Sequence, residues 1–461
     1  MKLSTKTAVA DAALLTSTQV TLSDARQSVA PLASAEVADS SITDSSNEIS
    51  LFGLNVKLPP SLRALRHRNF RLFWTGYMVS LVGTWMQQVA RGWLVLELTH
   101  SPFWLGMVGF ANAAPVLFLS LWAGEVADRV SKRVLVIWTQ ILSMLGAFAL
   151  AVLAFTGVVQ VWHVMLISVF MGVLFAFDAP ARQAFTVELV GKDDLMNAVA
   201  LNSAIFNGAR VAGPAIGAVA LAWQGPALAF FLNGLSFIAV IVGLLRMNMP
   251  RFVRAKKTEN SLTRIIAGLS YVRHHETIST LMILIVTTSV FAFPYAILMP
   301  IFADVILHVG KEGYGTLMAV SGVGSLVGAL SLTVQSGRNS IKRGRLIMIG
   351  SVGLPLFLGV FAFSQNYLLS LAMLVGVGWT MISVNATINT VIQTSVPDEL
   401  RGRVSGVFAF LFIGMAPLGN LQSGLIADHF GAPVAIGFGA AVCALVALFL
   451  FVRRRKLLSL Q

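Results

Sequence analysis

The sequence predicts an all-α membrane protein, twelve spanning helices in two six-helix halves related by pseudo-two-fold symmetry, and three observations carry that reading. The composition is 56% hydrophobic and only 11% charged, with a mean hydropathy of +0.79, far from the balance of a water-soluble domain. From residue 70 onward, apolar runs long enough to cross a bilayer follow one another with short breaks. The chain also repeats itself. The stretch FDAPARQAFTVELVGKDDLMNAVALNSAIFNGARVAGPAIG aligns with VNATINTVIQTSVPDELRGRVSGVFAFLFIGMAPLG, pairing Asp178 with Asn385, Leu195 with Leu400 and Pro214 with Pro417.

In chain order, residues 1–56 hold runs such as SAEVADSSITDSSNEIS with no apolar period, the composition of a disordered tail. No apolar core follows Lys2 and Lys6, so this segment does not read as a signal peptide. The N-terminal half, 57–246, carries spans at 70–97, 103–123, 134–156, 162–188, 195–223 and 226–246. A basic linker, 247–276, precedes the C-terminal half, 277–452, with spans at 277–307, 314–335, 345–363, 367–394, 404–427 and 433–452. A basic C-terminus, 453–461, closes the chain.

Orientation follows from charge, because Lys and Arg accumulate in short loops on the cytoplasmic side. With the N-terminus inside, nearly all of the 33 Lys and Arg residues outside the tail fall on the inner side, and Lys311 stands alone in the outer loops. Both termini are therefore expected in the cytoplasm, in a bacterial cytoplasmic membrane. The net charge of +13 reads as topology and contact with the bilayer's inner leaflet, and it gives no support to a nucleic-acid partner. The lone Cys443 precludes an internal disulfide, and the seven His residues lack ligand spacing, so neither a metal site nor a cofactor is expected. No G-x-x-x-x-G-K-[ST] loop or hydrolytic triad is present, which argues against a nucleotide-driven pump or an enzyme.

Charges gather in GEVADRVSKR, residues 124–133, between the second and third spans. This segment resembles the loop motif of the major facilitator superfamily, here Gly124, Asp128, Arg129, Lys132 and Arg133. GARVAGPAIG in the fifth span, with Gly208, Gly213, Pro214 and Gly217, is similar to the motif of that family's antiporting, exporting branches. NFRLFWTG, FDAPARQAF and FPYAILMPIFA resemble the branch containing enterobactin exporters and macrolide efflux proteins. The resemblance covers nearly everything after residue 60. The second half departs from it, since SGRNSIKRGR keeps Gly337 and the basic residues without an acidic partner.

A carboxylate at the inner end of the second span can accept backbone N–H bonds from a helix N-terminus, where partial positive charge collects. The entry to the eleventh span, RGRVSG, offers such an end with Gly402 and Ser405. Asp128 is therefore expected to dock there in the outward-open state, with Arg129 pairing Glu188; the alternative is that these charges only fix topology.

Charges inside the hydrocarbon cost about 2.5 to 3.5 kcal/mol each, which makes Arg91, Asp178 and Arg210 functional candidates. Ser80, Thr84, Gln87 and Arg91 share one face of the first span, and Ser383, Thr387, Thr390 and Thr394 form the corresponding stripe in the tenth. Either stripe lines a cavity or packs against other helices. Arg91 is expected to pair with Asp304 in an outer gate or to meet an anionic substrate. Asp178 and Arg210 are expected either as a structural pair or as a proton site tuned by a cation.

These readings predict a monomeric secondary transporter that rocks two halves and exports a medium-sized organic molecule, a siderophore or an amphipathic drug such as a macrolide, with proton coupling implied by the resemblance. The alternatives are a facilitator-fold importer and a non-transporting membrane sensor or scaffold.

Overall fold

The computed structural model describes residues 48–51, 54–57, 59–249, 261–336 and 343–453. The chain divides into two compact units, Met1–Leu58 and Pro59–Gln461. In the first, β1 (Glu48–Leu51) and β2 (Leu54–Lys57) form an antiparallel hairpin in which Ile49 faces Val56 and Leu51 faces Leu54. Residues 48–56 were expected to be disordered; in them Ile49, Leu51, Leu54 and Val56 fall at every second position, the period of a strand. Residues 1–47 of the expected tail lie outside the described residues.

The second unit is helical. A 3₁₀ turn, Pro60–Arg66, leads into α1 (Arg68–Thr99), α2 (Pro102–Arg129), α3 (Lys132–Phe155), α4 (Val161–Val190), α5 (Leu195–Gln224) and α6 (Pro226–Leu245). Then come α7 (Ser261–His274), α8 (Glu276–Thr287), α9 (Tyr295–Ile301), α10 (Gly310–Ser336), α11 (Arg343–Phe363), α12 (Tyr367–Ser395), α13 (Asp398–Gly414), α14 (Ala416–Phe430) and α15 (Ala432–Arg453). Pro at the first turn opens α2 and α6, where its missing N–H is no loss, and Gly225 at φ 73° lets the chain reverse between α5 and α6 without a Cβ clash.

Among the described residues, eleven helical segments are long and apolar enough to cross a bilayer, where the sequence reading laid out twelve spans. The difference is α1, which at 32 residues has the length but carries Thr75, Ser80, Thr84, Gln87, Gln88 and Arg91 along it. The expected single spans 277–307 and 404–427 are interrupted. The former contains α8, a π turn at Thr288–Ala292, α9 and a second π turn at Phe302–Ile306; Pro294 and Pro300 each withhold a backbone donor there. The linker 247–276 is not all irregular, since α7 occupies its second part; residues 250–260, 337–342 and 454–461 lie outside the described residues.

Helices α1–α6 and α8–α15 form two bundles of like construction. The repeat extends to the backbone: His100, after α1, and His308, after α9 and its π turn, occupy the same turn in the two halves, with φ of 48° and 51°. The largest apolar core joins the bundles, bringing Trp93, Leu94, Leu105 and Val108 together with Tyr295, Leu298, Tyr314 and Leu317. It lies at the end of the bundle carrying the α1–α2 turn, here the low-charge end. The opposite, basic end carries the α2–α3 and α4–α5 turns.

Candidate functional site

Small residues set how closely the halves approach at the low-charge end. A Cβ on Gly106 of α2 would lie 2.6 Å from the Asn420 carbonyl oxygen and 2.7 Å from Gly424 Cα of α14. A Cβ on Gly322 of α10 would lie 2.6 Å from the Arg210 carbonyl oxygen of α5, and one on Gly92 of α1 would lie 2.8 Å from the Tyr314 hydroxyl. Trp93 stacks on Tyr314 with ring centroids 6.0 Å apart. At the basic end the pattern reverses: positions Gly124 and Gly406 have open space around them, and Asp128 and Arg129 are exposed. Among the described residues, the tight glycine contacts between the halves lie from mid-membrane to the low-charge end.

Behind this seal lies a cavity of about 210 Å³ lined by both halves. From α1 and α2 come Gln88, Arg91 and Asn112; from the other half come Phe293, Tyr314 and Asn420. The Arg91 guanidinium donates two long hydrogen bonds, 3.4 Å to Asn112 Oδ1 and 3.5 Å to Ser168 Oγ. No carboxylate pairs with it among the described residues. The expected Arg91–Asp304 gate is not formed, because Asp304 is exposed in the second π turn.

The polar stripes are corrected in part. Ser80 is buried, and Gln87 Oε1 accepts a 2.6 Å hydrogen bond from Asn233 of α6, so both face a neighbouring helix. The face that continues from Arg91 carries Gln88 and the exposed Thr84, one turn apart. In α12, Ser383 and Thr387 are buried, the latter donating to the Ser383 carbonyl at 2.6 Å. Thr390 is exposed and donates to Ala386, and Thr394 accepts from Arg343 at 3.1 Å.

Asp178 does not meet Arg210. Its carboxylate pairs with Arg182, one turn along α4, and accepts from Thr139 Oγ1 at 2.7 Å and Gln140 Nε2 at 3.1 Å. The Arg182 guanidinium also lies over the Tyr77 ring, 4.6 Å from its centroid. Sequence reasoning missed Arg182, although its i, i+4 spacing from Asp178 was the available signal. Arg210 instead lies 5.8 Å from the centroid of the Trp85 ring on α1.

The loop motif is likewise rearranged. Glu188 pairs with Lys132 at 2.8 Å, not with Arg129, which pairs with Glu125 one turn back on its own helix. Arg133 donates to the Leu244 and Leu245 carbonyls at 2.9 and 3.1 Å, satisfying acceptors at the C-terminal end of α6. Asp128 does not touch the entry to α13. Gly213 and Pro214 are buried in an unbroken α5, where a Cβ on Gly213 would strike Trp85 and a Cβ on Gly217 would touch Met86 at 3.4 Å; these small residues seat α5 on α1.

A further cluster went unread in the sequence. Asp194, buried just before α5, contacts Arg63 at 3.2 Å, Arg66 at 2.9 Å and His67 at 2.6 Å. Burial by itself would raise its pKa; the His67 hydrogen bond and the charges of Arg66 and Arg63 overcome that and hold it below the ordinary aspartate value.

The sequence pattern of the transmembrane secretion effector family matches residues 60–459. The chain belongs to that family. A staphyloferrin A transporter of Staphylococcus aureus is 26% identical over 397 residues, covering 85% of this chain and 98% of its own length. The multidrug efflux pump Tap of Mycolicibacterium fortuitum is 30% identical over 352 residues, covering 74% and 85%. An enterobactin exporter, EntS, of Citrobacter koseri is 25% identical over 399 residues, covering 85% and 93%. Among solved structures, a POT family transporter in complex with a thioalcohol-conjugated peptide shares the fold at TM-score 0.69 and 12% identity, covering 88% of this chain and 98% of its own. This member of the transmembrane secretion effector family is thus a multi-pass membrane transporter with the major facilitator fold, and its relatives are transporters, not enzymes.

Proposed function

We propose that the protein exports a medium-sized organic molecule, of the siderophore or amphipathic-drug type, across the bacterial cytoplasmic membrane in exchange for protons. The observation that carries this reading is Arg91, a guanidinium without a carboxylate partner among the described residues, set in a cavity between the halves and behind the seal at the low-charge end. With the basic end in the cytoplasm, as the distribution of Lys and Arg favours, both termini are inside and the seal faces outward. Along α1 from the cavity toward the cytoplasm, Gln88 and Thr84 are exposed, on the side from which an exporter loads.

In this reading the halves 57–246 and 277–452 rock about the site as a monomer, tethered by 247–276. Asp128 docks on the α13 N-terminus when the cytoplasmic side closes. Asp178, the carboxylate farthest from a helix end among the described residues, is the proton-coupling group in this reading, with Arg182 as its ion-pair partner. The names of the relatives support cargo of the siderophore or drug kind.

The test is untargeted mass spectrometry of cells and medium from a deletion strain and its complemented parent, grown iron-poor. An iron chelator that accumulates inside and vanishes outside supports export. Matching profiles, together with inward counterflow of solutes in vesicles, would replace the exporter with an importer.

A further inference from the structure

Four charged side chains sit well inside the membrane-spanning helices: Arg91, Asp178, Arg182 and Arg210. Asp178 and Arg182 neutralise each other, and Thr139 and Gln140 complete the carboxylate's hydrogen bonds. Two cations are left over. Arg91 holds only two long hydrogen bonds to neutral groups, and among the described residues Arg210 has the Trp85 ring and no carboxylate.

Both cations belong to helices at the junction of the halves. Arg91 lines the cavity opposite Tyr314 and Asn420, and the backbone of Arg210 abuts Gly322 of α10. The facing wall contributes Phe293, Ile297 and Met318 and no acid. The acids at the low-charge end are otherwise placed: Glu97 accepts from Trp93 at 2.6 Å, Asp428 accepts from Ser101 at 2.8 Å, and Asp304 and Glu312 are exposed. Trp85, which carries Arg210, precedes Arg91 by six residues on α1, on the order of 9 Å along the axis.

An uncompensated charge inside a membrane is costly, and most so when water is withdrawn from it. Alternating access requires a step in which both ends are shut and the site is at its driest. An empty or neutral-loaded carrier crosses that step with two bare guanidinium groups. A cargo with two acids crosses it neutralised, and a guanidinium fork binds a planar carboxylate with two parallel hydrogen bonds.

We infer that the cargo is an elongated dianion or polyanion whose two carboxylate-like groups bind Arg91 and, beside Trp85, Arg210; Trp85 and Arg91 stand on the order of 9 Å apart along α1 and roughly 120° apart around it. The inference rests on the proposed transport reading and narrows its substrate class. It also gives Trp85 a role: the ring holds the Arg210 guanidinium in place without neutralising it, which a carboxylate partner would do.

The experiment uses the full-length protein in lipid nanodiscs and reads thermal stabilisation by ligand, which rises with occupancy. The probes are azelate, whose extended length suits the spacing, its monomethyl ester, and 1,9-nonanediol as the uncharged control. Azelate is expected to bind at least tenfold more tightly than the monoester, and the diol not at all. Arg210→Gln should bring azelate and monoester within about twofold of each other, whereas Arg210→Lys, which keeps the charge, should preserve the preference for azelate. A folding defect would lower the melting temperature of both variants without ligand. Equal binding of diacid and monoester to the wild type, or no stabilisation by either, overturns the dianion inference. The export reading would survive that result, because it is judged by metabolite flux in the deletion strain.

Discussion

The carboxylate of Asp428 accepts a 2.8 Å hydrogen bond from Ser101 Oγ and a 3.4 Å bond from the Phe103 amide, so an acid near the end of α14 in one half caps the first turn of α2 in the other. The N-terminus of a helix carries unpaired N–H groups and partial positive charge, and an anion placed there stabilises by roughly 0.3 to 1 kcal/mol. Helices α2 and α13–α14 run antiparallel, and Asp128 stands at the other end of α2, near the level where α13 begins. The same helix pair therefore holds an acid and a helix N-terminus at each end. In the present state the low-charge latch is made and Asp128 is exposed.

Asp428→Asn should loosen the low-charge end. With Cys443 replaced by Ser and a reporter cysteine at Leu105 in the seal, labelling of intact cells by an impermeant maleimide should rise several-fold over the parent. Unchanged labelling would mean that packing at Gly106 and Gly424 holds the seal without the latch.

Asp178→Asn should be among the most damaging single changes. Removing one partner of a buried ion pair leaves the other charge uncompensated, at a cost of about 3 to 5 kcal/mol. A melting curve in detergent should show a large drop. The double variant Asp178→Asn, Arg182→Gln should recover part of it, since no bare charge remains. Recovery of stability without recovery of proton-linked flux would separate a coupling role from a structural one.

Acid should weaken the anchoring of the 3₁₀ turn to α5. Asp194 has a folded pKa below its unfolded value, so its contribution is complete above the ordinary aspartate range and is lost as pH falls through the depressed folded value. Melting temperatures followed from pH 7 down to pH 3 should converge for wild type and Asp194→Asn. A constant gap between the curves would show that the carboxylate's charge is not what matters.

The fold was legible because bilayer physics writes itself coarsely: long apolar runs, a one-sided distribution of basic residues, and a duplicated pattern around Asp178 and Asn385. Side-chain partners were less so. Ser80 and Gln87 share a face with Arg91 by spacing, yet Asn233 on α6 claims Gln87, and that choice depends on which helix packs alongside. Asp178 and Arg210 both read as isolated intramembrane charges, and Arg182, one turn from Asp178 on the same helix, is the partner that the structure supplies. The Asp194 cluster was invisible for a related reason. Arg63 and Arg66 count among the basic residues of the inner side, and only the fold brings them and His67 to an acid more than 120 residues away.

Two latches on one helix pair make a sharper prediction than either alone. If Asp428 holds the low-charge end shut and Asp128 holds the basic end shut in the opposite state, their loss must bias the equilibrium in opposite directions. At about 1 kcal/mol each, Asp128→Asn and Asp428→Asn should shift the ratio of the two states about fivefold, the former toward the state described here and the latter away from it. The double variant should return close to the wild-type ratio, because each loss cancels the other. Distances between spin labels at the two ends would report all three populations. Equal shifts of the two single variants in one direction would show that one of these carboxylates stabilises its helix and not a state of the transporter.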